Sequence, residues 1–158
     1  MYKKYIVCLI IAAAILGIIA LATQTCLFIS TEQGIYQTMP AKTGSRLSLS
    51  FTHSVQRTLV VENFVVAENY ILVLDSTEYK SLGVGLPFLL EDGNFRAENN
   101  KFIFSGMNRP HKQLDLRTGP EARLTLTYGD ENIPLYELFP AGTLVHLWVG
   151  PFYSRWFM

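Results

Sequence analysis

The segment Thr52-His53-Ser54 places a histidine directly beside a serine, the two residue types that serve as general base and nucleophile in many hydrolases. Apolar and hydroxyl-bearing residues alternate up to this segment, which predicts a strand. Successive strand residues point to opposite faces, so His53 and Ser54 are not expected to pair with each other. The alternation puts His53 on the apolar face with Phe51 and Val55. A buried histidine with a satisfied hydrogen bond is therefore the expected arrangement.

Glu62 offers His53 a different kind of partner. If Gln56-Arg57 form a two-residue hairpin turn, His53 and Glu62 become diagonal neighbours on one face of two strands, about 7 to 8 Å apart. A turn of odd length would instead put Glu62 on the other face. As a pair, the two residues would either form a semi-buried ion pair or contact a polar group of a ligand. His53 and Glu62 are thus the candidate ligand-binding residues, and no catalytic residue is assigned.

The sequence gives weaker evidence for a metal site or a phosphate-binding loop. A metal site would need histidines and carboxylates from distant segments to converge, because no two of them have a short ligand spacing. The residues concerned are His53, Glu62, His111, Asp115 and His146. Gly83-Val84-Gly85 resembles a phosphate loop only in its two glycines, since Leu86-Pro87 follow and no helix begins there. We interpret these glycines as a bend, and we expect neither a metal nor another cofactor.

Charge and composition exclude several classes of protein. The cationic cluster Arg109-Pro110-His111-Lys112, with Arg117 and Arg123, faces either solvent or an anionic ligand or lipid headgroup. Overall, 13 Lys and Arg balance 13 Asp and Glu, so nucleic acid is not an expected partner. Hydrophobic residues make up 49% of the chain and charged residues 16%, which excludes a disordered chain.

The N-terminal segment predicts insertion into a membrane. An uncharged, almost wholly apolar run extends from Ile6 to Ala22 and follows Lys3-Lys4. Its length favours an uncleaved transmembrane helix, which could continue to Ile29, although Ala20-Leu21-Ala22 also fits a signal-peptide cleavage site. The lysine pair predicts a cytoplasmic N-terminus and an exported C-terminal part, in a single-pass protein of the cell membrane. Both cysteines are assigned to this segment, so the exported domain is expected to contain no disulfide.

The remainder of the chain predicts an all-β domain. Period-two alternation and frequent Gly, Pro, Asn and Asp turns indicate about eight or nine short antiparallel strands in a single β-sandwich or partly closed barrel. We divide the chain into an anchor or signal segment (1–30), a linker (31–43) and an extracytoplasmic all-β domain (44–158). The aromatic tail at 152–157 is expected to complete the core, with docking at the membrane interface or on a partner as the alternative.

Several of these segments together resemble a known family. They are Phe51-Thr52-His53-Ser54-Val55, then Glu62 and Phe64, then Tyr79 to Pro87 with its S-x-G-x-G-L-P pattern, and then Leu114-Asp115-Leu116 with Gly119. This order resembles the bacterial and archaeal domain of unknown function DUF1850 over roughly residues 44 to 150. The resemblance implies a small exported domain with no assigned catalytic residue. It also implies an association with tripartite ATP-independent periplasmic (TRAP) transporters of the TAXI subtype, which import organic anions.

Two functions follow as expectations. The first is a non-enzymatic, membrane-anchored extracytoplasmic accessory protein of a TAXI-type TRAP transporter, contacting its permease or its solute-binding protein. The alternative is an extracytoplasmic β-domain that binds a small ligand through His53 and Glu62.

Overall fold

A long N-terminal helix stands apart from a β-domain in the computed structural model, which describes residues 2–80 and 93–157. Helix α1 spans Tyr2–Ala22, and none of its residues is buried by the rest of the chain. Its 21 residues extend about 32 Å, which matches the hydrocarbon core of a bilayer at about 30 Å. Within the described residues it is the one helix long and apolar enough to span a membrane.

Eleven strands lie within the described residues. They are β1 Thr25–Thr31, β2 Gly34–Pro40, β3 Arg46–Thr52, β4 Leu59–Val66, β5 Leu72–Tyr79, β6 Asn94–Glu98, β7 Lys101–His111, β8 Gln113–Arg117, β9 Thr125–Tyr128, β10 Glu131–Pro134 and β11 Leu144–Pro151. A single helical turn, α2 (Leu135–Leu138), and 3₁₀ turns at Glu68–Tyr70 and Phe152–Trp156 complete the described elements.

The strands form two antiparallel sheets that pack as a sandwich and do not close into a barrel. The smaller sheet has the order β2-β1-β11-β8, and the larger has the order β10-β9-β3-β4-β5-β7-β6. The shared core draws on both sheets, with Leu27 and Leu147 from the smaller one and Leu49 and Phe64 from the larger one. At one edge, the Tyr128 hydroxyl donates to the Pro40 carbonyl (2.7 Å) and ties β9 to the end of β2. The predicted all-β fold is confirmed.

The β3-β4-β5 meander follows the predicted alternation. On its outer face, Ser48 Oγ donates to Asn63 Oδ1 (2.7 Å) and Asn63 Nδ2 donates to Ser76 Oγ (3.1 Å), so three strands are joined by polar side chains. The predicted bend at 81–87 lies outside the described residues. Strand β10 ends at Pro134, and the chain then turns directly into α2.

The N-terminal boundaries differ from the sequence prediction. Residues 25–31 form β1 and do not extend the helix, and the predicted linker at 31–43 contains β2. Five consecutive residues of β1, from Cys26 to Ser30, are buried, because β1 lies between β2 and β11 with both faces covered. Such a strand is continuously apolar, so it resembles membrane sequence. The β-domain therefore contains one of the two cysteines, Cys26, and both cysteines are free.

Candidate functional site

His53 organises the turn between β3 and β4. Its side chain is buried, at 9% exposure, and its Nδ1 accepts hydrogen bonds from the backbone N–H groups of Val55 and Gln56 (both 3.2 Å). Because Nδ1 is an acceptor here, the proton of the neutral ring lies on Nε2. The neighbouring Ser54 is exposed, as expected for adjacent residues on opposite faces. The His53 side chain thus shapes the turn.

The two sides of a cleft beside His53 are five-residue turns of the same type. The Arg57 N–H donates to the His53 carbonyl (2.9 Å), and the Arg123 N–H donates to the Gly119 carbonyl (3.2 Å). The Thr52 N–H donates to the Ala122 carbonyl (2.7 Å) and joins the two turns. A bond from the fifth residue back to the first is the pattern that commonly ends with a left-handed residue.

Both turns end in an arginine in the left-handed region of the backbone. The φ angle is +50° at Arg57 and +47° at Arg123. A residue with a Cβ atom is destabilised in this conformation by about 1 to 2 kcal/mol, and glycine is not. A left-handed backbone at a residue other than glycine motivates the hypothesis that its side chain has a function.

The cleft between the two turns is of ligand size. Its volume is about 690 Å³, within the range of small-molecule sites. It is lined by Thr52, His53, Ser54, Arg57, Gly119, Pro120, Glu121, Ala122 and Arg123. Arg57 and Arg123 against Glu121 give the residues that line the cleft a net charge of about +1. Guanidinium groups bind carboxylates and phosphates in bidentate geometry, so this arrangement suits a small organic anion.

The predicted diagonal pairing of His53 with Glu62 is wrong. The β3–β4 register pairs Thr52 with Leu59 and Leu49 with Glu62, so the connection is longer than the assumed two-residue turn. His53 therefore lies four residues beyond Leu49, the partner of Glu62, or roughly 13 Å in the strand direction. Glu62 is also not among the residues that line the cleft. The structure places His53 in the lining of the cationic cleft and Glu62 on β4, outside that lining.

Glu62 faces the interior of the sandwich. Its cross-strand neighbours are Leu49 and Thr77, which are 1% exposed each, and Val60 and Phe64 flank it on the same face of β4. Burial raises the pKa of the Glu62 carboxyl. Within the part of the chain that the structure describes, this carboxyl has no hydrogen-bond partner. A partly buried carboxylate without a hydrogen-bond partner is disfavoured in its ionised form, so we treat Glu62 as a second candidate position for contact with a ligand.

A third polar group lies on the outer face of the smaller sheet. His146 Nδ1 donates to Asp115 Oδ1 (2.6 Å), and Gln113 Nε2 donates to the same oxygen (2.6 Å). These hydrogen bonds lower the pKa of Asp115, with that from His146 the largest cause. Ser30 pairs with His146 on the next strand, which gives the residue order of a hydrolase triad.

The three residues Ser30, His146 and Asp115 do not include an accessible nucleophile. Ser30 is fully buried, and its Oγ accepts the indole N–H of Trp148 (3.0 Å). The sequence places Asp115 and His146 among the residues that a metal site would need, and no group of three metal-ligating side chains occurs among the described residues. We interpret the pair as a structural hydrogen bond at the surface that joins β8 to β11.

The predicted cationic cluster does not form one site. Arg123 lines the cleft, whereas Arg117 lines a separate cavity of about 350 Å³ and donates to the Gly142 carbonyl (2.8 Å). His111 packs its ring against Phe64. Sequence reasoning missed the pairing of Arg57 with Arg123, because these residues are far apart in the chain and arginine carries no signal for a left-handed backbone.

The fold and the cleft define a class: a β-sandwich carrying a helix of transmembrane length and an arginine-lined cleft. Residues 47–135 match the family model described as Domain of unknown function (DUF1850). The match covers more than half of the chain, so the chain belongs to this family. All residues that line the cleft, and Glu62, fall within the matched range. No curated protein and no solved structure matches the chain.

Proposed function

We propose that this chain is a membrane-anchored, extracytoplasmic, non-enzymatic accessory protein of a TAXI-type TRAP transporter of organic anions. The resemblance to the family motivates the transporter as partner, and the observation that supports the anchored position is the short connection between α1 and the sandwich. Only Thr23 and Gln24 separate Ala22 from β1, and the Phe152 N–H donates to the Gln24 carbonyl (2.8 Å). A domain connected in this way is held at the membrane surface, where the permease of a transporter lies.

The direction of the strands places the cleft at the far end of the sandwich. Strand β1 leaves the helix at Thr25, which pairs with Pro151, and β11 therefore begins at the opposite end with Leu144, which pairs with Arg117. The Gly142 N–H donates to the Thr118 carbonyl (2.8 Å), so the chain leading into the cleft also lies at that end. The cleft faces away from the membrane end, which suits contact with a soluble solute-binding protein.

Co-purification from the native membrane tests this proposal. The full chain with a C-terminal tag is expressed together with its genomic neighbours, extracted in mild detergent and purified, and co-purifying proteins are identified by mass spectrometry. We expect TRAP permease subunits or the TAXI solute-binding protein to be recovered. The matched control is Glu98→Gln, an exposed change on β6 that should leave the recovery unchanged. Recovery of the chain alone contradicts the accessory role.

The cleft itself favours a second candidate function, the binding of a small organic carboxylate. The supporting observation is the convergence of Arg57 and Arg123 on one cavity of ligand size. The binding is tested on the full chain in detergent with acetate, succinate and citrate at millimolar concentration. A ligand that binds only the folded state raises Tm.

The variants separate specific binding from a general salt effect. We expect Arg57→Ala to reduce the rise in Tm at a given anion concentration and Arg96→Ala, which removes an exposed arginine on β6, to retain it in full. An equal rise in both variants, or no rise with any of the three anions in the wild type, contradicts carboxylate binding.

A further inference from the structure

The C-terminal 3₁₀ turn, Phe152–Trp156, carries a group of exposed aromatic side chains. Tyr153 is 43% exposed, Trp156 65% and Phe157 82%. The rings of Phe152 and Trp156 contact each other edge to face, with centroids 5.8 Å apart, and Arg155 Cζ lies 5.0 Å from the Phe152 ring centroid. The sequence predicts that these aromatics complete the core, but the exposed residues leave their surface uncovered within the described part of the chain.

The turn lies beside the end of the apolar helix. The hydrogen bond from the Phe152 N–H to the Gln24 carbonyl places the turn against the chain just after α1, and α1 contacts the turn directly. Thr23 continues the helical hydrogen bonding, since its N–H donates to the Ile19 carbonyl (2.9 Å). The level of the turn along the helix axis is therefore fixed.

We infer that the surface formed by Tyr153, Arg155, Trp156 and Phe157 is seated in the lipid headgroup region around the end of α1. The inference rests on the proposed membrane anchoring of α1. Because the helix is about as long as the hydrocarbon core is thick, Ala22 lies near the boundary of that core. Tryptophan and tyrosine concentrate at this boundary, and an arginine there reaches the lipid phosphates with its charged end.

This seat gives the sandwich a second attachment to the bilayer beside the helix. One attachment alone would allow rotation about the short connection at Thr23 and Gln24. Two attachments fix the tilt of the domain, so the cleft at the far end is held at one height and in one direction above the membrane.

Quenching of tryptophan fluorescence by brominated lipid tests whether this aromatic surface lies in the lipid headgroup region. The chain has two tryptophans, and Trp148 is stacked on Phe28 with ring centroids 4.1 Å apart. The full chain is reconstituted into phosphatidylcholine and phosphatidylglycerol vesicles whose acyl chains carry bromine near the headgroup. We expect emission loss at least about threefold greater in the wild type than in Trp156→Phe, because tryptophan at the interface lies within reach of the bromine.

A flotation assay separates the two claims on which the result depends. If the chain floats with the vesicles and both proteins lose the same fraction of emission, the seat is refuted while the anchor stands. If the chain does not float, α1 is not inserted, and the anchor and the seat are refuted together. Trp156 and Phe157 are largely exposed, so Trp156→Phe and Phe157→Ser are both expected to fold. Phe157→Ser should show weaker quenching of Trp156, and unchanged quenching would contradict the joint surface.

Discussion

Replacing Arg57 by glycine is expected to stabilise the fold and weaken anion binding at the same time. Its left-handed backbone costs about 1 to 2 kcal/mol, which glycine removes. Glycine also loses more backbone entropy on folding, about 0.5 to 1 kcal/mol. The free energy of unfolding should therefore rise by about 0.5 to 1 kcal/mol. Arg123→Gly should behave in the same way, because its φ is nearly identical.

The same substitution is expected to weaken the binding of an organic anion. Removing one charge-assisted hydrogen bond from an exposed guanidinium costs about 1.4 kcal/mol, so the affinity for a carboxylate such as succinate should fall about tenfold per arginine. Urea unfolding of the full chain in micelles, followed by tryptophan emission, measures the first effect. Calorimetric titration with succinate measures the second.

Two control variants isolate the cause. Arg57→Lys keeps both the charge and the backbone penalty, so its stability should match the wild type within about 0.5 kcal/mol. Asn99→Gly places a glycine at another left-handed position, φ +50°, in the turn between β6 and β7, and should leave the affinity unchanged. A loss of stability in Arg57→Gly would refute the reasoning, because it would show that the guanidinium supports the structure. So would an unchanged affinity.

Three further outcomes concern ionisable groups in the β-domain. The raised pKa of Glu62 means that the folded state disfavours its ionised form, so the wild type should lose stability as pH rises through the ordinary and then the raised pKa. In urea titrations, the free energy of unfolding of Glu62→Gln should consequently exceed that of the wild type by about 1 to 2 kcal/mol at neutral pH and by little at acidic pH. The control Glu98→Gln should show no pH-dependent difference from the wild type. A loss of stability in Glu62→Gln at neutral pH would show that the carboxylate has a partner. The lowered pKa of Asp115 has the opposite sign: its stabilisation is present at neutral pH and is lost as pH falls through the folded pKa. Asp115→Asn should cost less than about 1 kcal/mol at neutral pH, because the carboxylate is 59% exposed; a larger cost would contradict a solvent-exposed surface contact. Burial raises the pKa of the Cys26 thiol, so in a Cys8→Ser background maleimide should label Cys26 only after unfolding, and rapid labelling of that folded variant would place β1 outside the sheet.

Local sequence patterns predicted much of the fold, because the alternation of buried and exposed residues in a strand depends only on neighbouring residues. The strands of the β3-β4-β5 meander alternate, and each strand has one covered face. Strand β1 gave no such signal, since Cys26 and Phe28 are as buried as Leu27 and Ile29. Its continuous apolar run joins the helix in the sequence, and only the pairing with β11 distinguishes the two.

The candidate site was predicted in part. His53 was placed correctly as a buried residue, because strand parity is a local property. Its distance from Glu62 depended on the length of the β3–β4 connection, which no residue in the turn specifies, and the assumed two-residue turn was too short. Arg57 and Arg123 line the same cleft because β3 pairs with β9, and this register joins segments that are far apart in the chain. Long-range register is the information that alternation does not contain.

Site-specific photo-crosslinking in living cells tests the central claim, that the cleft end of this anchored sandwich meets a transporter component. A benzophenone amino acid replaces Ser54 at the rim of the cleft or, as the control, Glu98 on β6 at the edge of the larger sheet. The account predicts a light-dependent adduct between the Ser54 position and the solute-binding protein or permease, with none at the Glu98 position. Adducts at neither position, or equally at both, would contradict it.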